Sequence, residues 1–253
     1  MDALIPDGYT VTVDGVGGSH LDAQKLRFDA TPDYYDNAIV ILDGALELDT
    51  APAAAAIDGI AAHVTGRRYL YVKPGLQDFV TWDHPDRAGW EQEVADIAAH
   101  VGAARFVETW DALYAANDGS AEDLMDVANR VIPRSLRVDA IHPNTAGWAI
   151  WAREIVSALV ARGWAEGNGE PLCTVKPVVS GSEDVGGVHS VTTGTWAYAP
   201  TSFSYQWKRT GADIAGATGS TYTRVADDMG ELITCVVTAT NVTGSNWAVS
   251  NTI

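Results

Sequence analysis

Continuous apolar runs alternate with helix-period segments through the N-terminal part of this chain, and that alternation leaves few folds open. Ala38-Ile39-Val40-Ile41-Leu42 is apolar at every position. A strand wet on one face would alternate polar and apolar residues, so this run reads as a strand buried on both faces, as in a parallel sheet covered by helices. Tyr69-Leu70-Tyr71-Val72 repeats the pattern before Pro74-Gly75, and Arg105-Phe106-Val107 makes a shorter strand. Between them, Ala53 to Val64 places Ile57, Ile60, Ala61 and Val64 on one helical face. Trp90, Val94, Ile97 and Val101 form a second stripe. Upstream, Tyr9-Thr10-Val11-Thr12-Val13 is β-branched and reads as a strand, followed by a glycine-rich turn and a short helix from Leu21 to Phe28. Downstream, Ser120 can N-cap a helix carrying Leu124 and Val127. Thr145 to Trp164 reads as an amphipathic helix with Trp148, Trp151, Ile155 and Leu159 on one side. Strands alternating with helices predict an α/β layer fold with a mainly parallel sheet, whose ligands sit at the carboxyl ends of the strands.

After Trp164 the character changes. Residues 165–176 are a polar, glycine-bearing linker, and residues 177–253 are rich in Thr, Ser, Val and Gly, with short strands and frequent turns. Charge divides at the same place. Residues 1–172 carry 12 basic and 27 acidic side chains, and residues 173–253 carry 4 and 6. This predicts two domains, 1–164 and 177–253, joined by the linker.

The formal net charge of −17 makes nucleic acid and anionic membrane surfaces poor partners. No apolar run approaches the roughly 18 residues a transmembrane helix needs. Met1 to Pro6 lacks the basic and long apolar regions of a signal peptide. Cys173 and Cys235, 62 positions apart, form no metal-type pair and leave room for one bridge at most. The expected cofactor and metal content is none.

The residues with most chemical content are Asp139-Ala140-Ile141-His142-Pro143-Asn144, at the mouth of the last helix. An acid three residues before a histidine can fix the imidazole tautomer and stabilise its charged form, the geometry of a general base. The same residues also suit a loop histidine beside a turn-capping aspartate. Asp-x-x-His-Pro at this point resembles the last sequence block of the SGNH (GDSL-like) hydrolases, whose Asp and His belong to a Ser-His-Asp triad. Gly15-Val16-Gly17-Gly18-Ser19 resembles their second block, which makes Gly18 the oxyanion donor. The resemblance covers residues 8–164 and implies a flavodoxin-like three-layer domain. Trp196, Pro200, Tyr205-Gln206-Trp207, Tyr222 and Asp228-Met229-Gly230 through Cys235-Val236-Val237 resemble the small Ig-like β-sandwiches appended to bacterial surface proteins and phage tail or fibre proteins. That resemblance makes Trp207 the core tryptophan and Cys235 a buried free thiol, because no cysteine occupies the matching early strand near His189 to Thr193.

This sequence departs from the SGNH pattern at two places. Gly44-Ala45-Leu46-Glu47 stands where the family carries Gly-x-Asn-Asp, and Leu46 has no donor for an oxyanion. Loss of one such donor costs about 2.7–4 kcal/mol of transition-state stabilisation. The family's Gly-Asp-Ser block and its strand find no match; Ser19, beside Gly18, is the substitute nucleophile to consider.

Two readings follow. In the first, a catalytically degenerate SGNH-like domain and an Ig-like domain form a virion accessory protein of the tail, fibre or head decoration. Its partners are other virion proteins, further copies of itself and host-surface polysaccharide, and its location is the virion. Trp82 and Trp110 are candidate stacking surfaces for sugar rings, while the helical spacing of Trp90 places it in the core. In the second, the chain is an esterase or deacetylase with His142 as base, Asp139 as orienter and Ser19 or a residue from a neighbouring subunit as nucleophile. A further possibility places the missing block upstream of Met1. On either reading, Tyr9–Val13 should pair directly with Ala38–Leu42, Trp207 should be buried, and Asp139 should reach a ring nitrogen of His142.

Overall fold

The structure, a computed structural model, describes residues 21–30, 40–42, 50–64, 68–73, 87–139, 142–165, 167 and 169–253. They fall into two compact units, one within Gly8–Thr109 and one within Trp110–Ile253.

In the first unit, helix α1 (Leu21–Asp29), strand β1 (Val40–Leu42), helix α2 (Thr50–His63), strand β2 (Tyr69–Val72), helix α3 (Arg87–Val101) and strand β3 (Phe106–Val107) follow in order. The three strands form a parallel sheet in the order β1-β2-β3, with Ile41 opposite Leu70 and Tyr71 opposite Phe106. All four β2 side chains are buried, as the unbroken apolar run predicts. Ile41 on β1 is 43% exposed, so burial on both faces holds for β2 and not for β1. The predicted helical stripes pack as expected. Ile57, Ile60, Ala61 and Val64 meet Ile97 and Val101 in one core with Leu21, Phe28, Tyr69 and Tyr71. The proposed pairing partner of β1, Tyr9–Val13, lies outside the described residues.

In the second unit, helices α4 (Trp110–Ala115), α5 (Ala121–Ala128) and α6 (Thr145–Ala161) precede nine strands. A 3-10 turn, Arg134–Leu136, lies between α5 and α6. The strands are β4 (Leu172–Val175), β5 (Val179–Gly181), β6 (Val188–Val191), β7 (Thr195–Ala197), β8 (Ser202–Arg209), β9 (Ala212–Asp213), β10 (Thr221–Thr223), β11 (Ile233–Thr240) and β12 (Ser245–Val249). They pair antiparallel in sheets ordered β10-β6-β5, β12-β11-β8-β9 and β4-β7. The chain is thus mixed α/β, with a parallel sheet in one unit and antiparallel sheets in the other.

The period-2 pattern of β11 explains the core of these sheets: Ile233, Cys235, Val237 and Ala239 point inward and their neighbours outward. Three of those residues join Val179 of β5, Val191 of β6 and Trp207 of β8 in a single cluster. Trp207 has no exposed surface, and its indole nitrogen donates to the Gly219 carbonyl at 2.8 Å. A buried indole keeps its polar edge only with such a partner. Cys173 and Cys235 are both free thiols, and burial pushes Cys235 up to about 12.

The compact division falls before α4, whereas the sequence places its linker at residues 165–176. Helix α6 and the β-region share one unit, and the segment between them is fastened. The Gly167 amide donates to the Tyr198 hydroxyl, and Asn241 Nδ2 donates to the Gly169 carbonyl at 2.9 Å. Asn117 after α4 donates to the Gly211 carbonyl at 3.0 Å.

Candidate functional site

The Asp139–His142 turn is held from beneath by two buried carboxylates on α5. Ser120 caps that helix by accepting from the Asp123 amide at 3.2 Å. The helix buries Asp123, Asp126 and Val127, so its inward face is largely acidic. Asp123 accepts from the Ser135 amide at 3.0 Å, the Ser135 hydroxyl at 2.5 Å and the Asp118 amide at 2.9 Å. Burial opposes its charge, but these hydrogen bonds outweigh burial and hold the carboxyl below the usual carboxylate range. Asp126 accepts from the Arg134 amide at 3.0 Å and pairs with the guanidinium groups of Arg134 and Arg137 at 3.1 and 3.0 Å.

From this anchored 3-10 turn the chain runs out and back. The Val138 amide donates to the His142 carbonyl at 2.9 Å, the Asn144 amide donates to the Leu136 carbonyl at 2.8 Å, and Arg137 bridges Pro143. Asn144 then caps α6: its side-chain oxygen accepts from the Ala146 and Gly147 amides at 3.0 and 3.1 Å. Its amide nitrogen reaches back to the Ser135 carbonyl at 2.7 Å. Asn144 therefore ties the helix start to the turn that Asp123 holds.

At the tip, the Asp139 carboxylate receives the His142 backbone amide at 2.8 Å. The same carboxylate meets the His142 Nδ1 through both oxygens, at 3.1 and 2.8 Å. A carboxylate only accepts, so Nδ1 carries the proton that this contact donates. This is the tautomer of a general base. The site is wet: the side chains are 62% and 53% exposed. A contact so exposed adds little stability, at most about 1 kcal/mol. Among the described residues Asp139 is the one hydrogen-bond partner of the His142 ring, and no hydroxyl bonds it.

Gly18, Ser19 and Trp82 lie outside the described residues, as do Gly44, Leu46 and Glu47. Trp110 is a correction. It begins α4 with 4% of its surface exposed and meets Tyr114 edge-on at 5.8 Å, so its indole offers no platform for a sugar ring. Its place on the inward side of a short helix decides this; α4 carries no stripe long enough to read from sequence. Trp90 is half-buried on α3, in line with its spacing. Sequence reasoning also missed Asp123 and Asp126, whose signal was two acids three residues apart behind a serine cap.

Two grooves open on the second unit, of about 300 and 430 Å³, and neither is lined by Asp139 or His142. Among the described residues no group of three His, Cys, Asp or Glu side chains could hold a metal, and no helix is long and apolar enough to cross a membrane.

No family model matches the chain, no curated protein matches it, and no solved structure matches it.

Proposed function

We propose that this chain is a non-enzymatic surface-binding protein built from a degenerate SGNH-like α/β domain and an Ig-like β-domain. The role that fits is accessory protein of a virion, assembled with other virion proteins and further copies of itself and directed at host-surface polysaccharide. The observation that carries this reading is a mismatch within the site. Asp139 and His142 keep the hydrogen bond of a general base, while no hydroxyl among the described residues reaches the imidazole. Leu46, where the SGNH pattern has its oxyanion asparagine, offers no donor. The sequence carries no Gly-Asp-Ser block to supply the nucleophile that such a base activates.

The intact base supports a second reading, an SGNH-type esterase or deacetylase with Ser19 as nucleophile. Hydrolysis of p-nitrophenyl acetate by the full chain, compared with His142→Ala, separates the two. Equal background rates are expected. A rate lost in His142→Ala would establish the esterase and overturn the binding reading. Failure of the full chain to sediment with purified host-surface polysaccharide would overturn the glycan assignment separately.

A further inference from the structure

A polar cluster lies buried in the β-region, remote in sequence from the Asp139–His142 turn. Strand β6 alternates strictly, with Val188 and Ser190 outward and His189 and Val191 inward. His189 has no exposed surface, and among the described residues neither ring nitrogen has a hydrogen-bond partner. Its ring lies 6.5 Å from that of Trp207 on β8, and its cross-strand neighbour on β10 is Tyr222. On the other side, β5 places Gly181 opposite it, at φ +150. A Cβ there would press on the His189 backbone and on Nδ1, so glycine is what leaves room for the imidazole.

The charged groups around His189 do not welcome a second cation. Arg224, just after β10, is 6% exposed; its Nη2 donates to the Asp228 carbonyl at 2.8 Å, while Nε and Nη1 have no hydrogen-bond partner among the described residues. Asp228, on the 3-10 turn Ala226–Asp228, is fully buried and already engaged. Its Oδ1 takes Arg209 Nε at 2.7 Å and Nη2 at 2.6 Å. Its Oδ2 takes the Tyr222 hydroxyl and the Val225 amide, both at 2.7 Å. A carboxylate has about four acceptor sites, and these four donors fill them. Glu183, in the connection before β6, is exposed and screened by water.

We propose that His189 is an acid trigger built into the β-region: its imidazole fits uncharged, and protonation breaks the packing of β5, β6 and β10 against Trp207. A charged imidazolium there would be desolvated, beside a guanidinium, with no acceptor to receive its protons. The electrostatics agree. Burial, then Arg224, hold the imidazole below the usual histidine range, against the opposing pull of Glu183 and Asp228. The sign of the linkage follows. An unfolded histidine titrates near about 6.5, and the folded one lower. Between those values the unfolded chain binds more protons, so stability is full above about pH 6.5 and falls as pH drops below it.

The test is the unfolding equilibrium of the full chain, read by denaturant titration at a series of pH values from about 7.5 down to about 5. The wild type is expected to show an unfolding constant that rises toward about tenfold per pH unit below about pH 6.5. His189→Gln, which cannot take a proton, should lose that rise. An unchanged pH dependence in the variant would overturn the proposal. If His189→Gln does not fold, the titration of the His189 ring in the native wild type, followed by NMR, decides. A midpoint below about 6.5 supports the trigger, and a midpoint at or above it refutes it.

Discussion

The guanidinium carbon of Arg153 sits 3.7 Å from the centroid of the Trp247 ring, joining the middle of α6 to strand β12. Arg153 also meets Glu154 at 3.2 Å, and Glu154 reaches Lys176 at 3.8 Å beyond β4. Burial lowers the basicity of the guanidinium, against the stabilising charge of Glu154. The helix that begins at the His142 turn is therefore fixed to the β-region by its midpoint, and the Asp139–His142 pair and the antiparallel sheets belong to one compact unit.

Arg153→Met keeps the stem and removes the cation. Desolvated cation–π contacts are worth about 2 kcal/mol, so a loss of about 1–2 kcal/mol in urea unfolding is expected. Arg153→Ala should cost more, because the stem's packing goes too. Equal stability of Arg153→Met and wild type would show that the Trp247 contact contributes nothing.

Asp126 carries a heavier burden. It is 3% exposed and is the carboxylate partner of both Arg134 and Arg137, the latter 8% exposed at its side chain. Asp126→Ala removes a buried carboxylate that two guanidinium groups share, at a cost of about 3–5 kcal/mol. The effect should extend outward. The Val138 and Asn144 amides, which close the His142 turn, should lose hydrogen-exchange protection in the variant. Protection as strong as in wild type would mean the turn does not depend on the α5 anchor.

Some of this was readable from sequence, and the division is physical. Unbroken apolar runs and helix-period stripes are signals of burial, so β2, α2 and α3 emerged with their buried faces. Short polar caps are local, so Ser120 could be read from its neighbours. The Asp139–His142 contact needed only an acid three residues before a histidine in a turn. What failed was long-range. On α6 the stripe of Trp148, Trp151, Ile155 and Leu159 holds in part: Ile155 is buried and Trp151 packs against Leu113, Ile132 and Leu136, yet Trp148 is 39% exposed and the buried set adds Gly147, Ala152, Val156 and Ser157. Small residues let a helix approach closely, and hydrophobic size alone does not reveal where that is required. The buried acids of α5 and the fastening of residues 167 and 169 depend on partners far along the chain.

The acid limb of the stability curve should have a second component, separate from that of His189. Asp228 is desolvated, but the Val225 amide, Tyr222 and Arg209 outweigh that and hold its carboxyl below the usual value of 3.8. A depressed carboxyl contributes stability that is full above its unfolded value and is lost as pH falls through the folded one. The Asp228 contribution should thus fade only below about pH 4, well under the histidine window. Asp228→Asn should destabilise the chain at neutral pH and flatten the curve below about pH 4. A variant with the wild-type slope there would assign the acid loss to other carboxylates.

Gly147 sets two effects against each other. Replacing a helical glycine with alanine ordinarily stabilises by about 0.5–1 kcal/mol, through the unfolded chain's lost freedom and the better helix propensity. Gly147 lies in the first turn of α6, against the 3-10 turn, and a Cβ there would overlap the Leu136 carbonyl oxygen and crowd the Pro143 ring. The Leu136 oxygen cannot step aside without cost, because it accepts the Asn144 amide at 2.8 Å and so holds the mouth of the helix closed. Overpacking against a fixed backbone costs about 1–3 kcal/mol, which exceeds the propensity gain. Gly147→Ala should therefore be destabilising on balance, and its strain should appear at the Leu136–Asn144 bond, loosening the turn that holds His142 against Asp139. Urea unfolding of the variant reads the balance, and the chemical shifts of the His142 ring read the turn. A variant more stable than wild type, with an unmoved His142 ring, would show that the helix can shift away from Leu136 without disturbing the site.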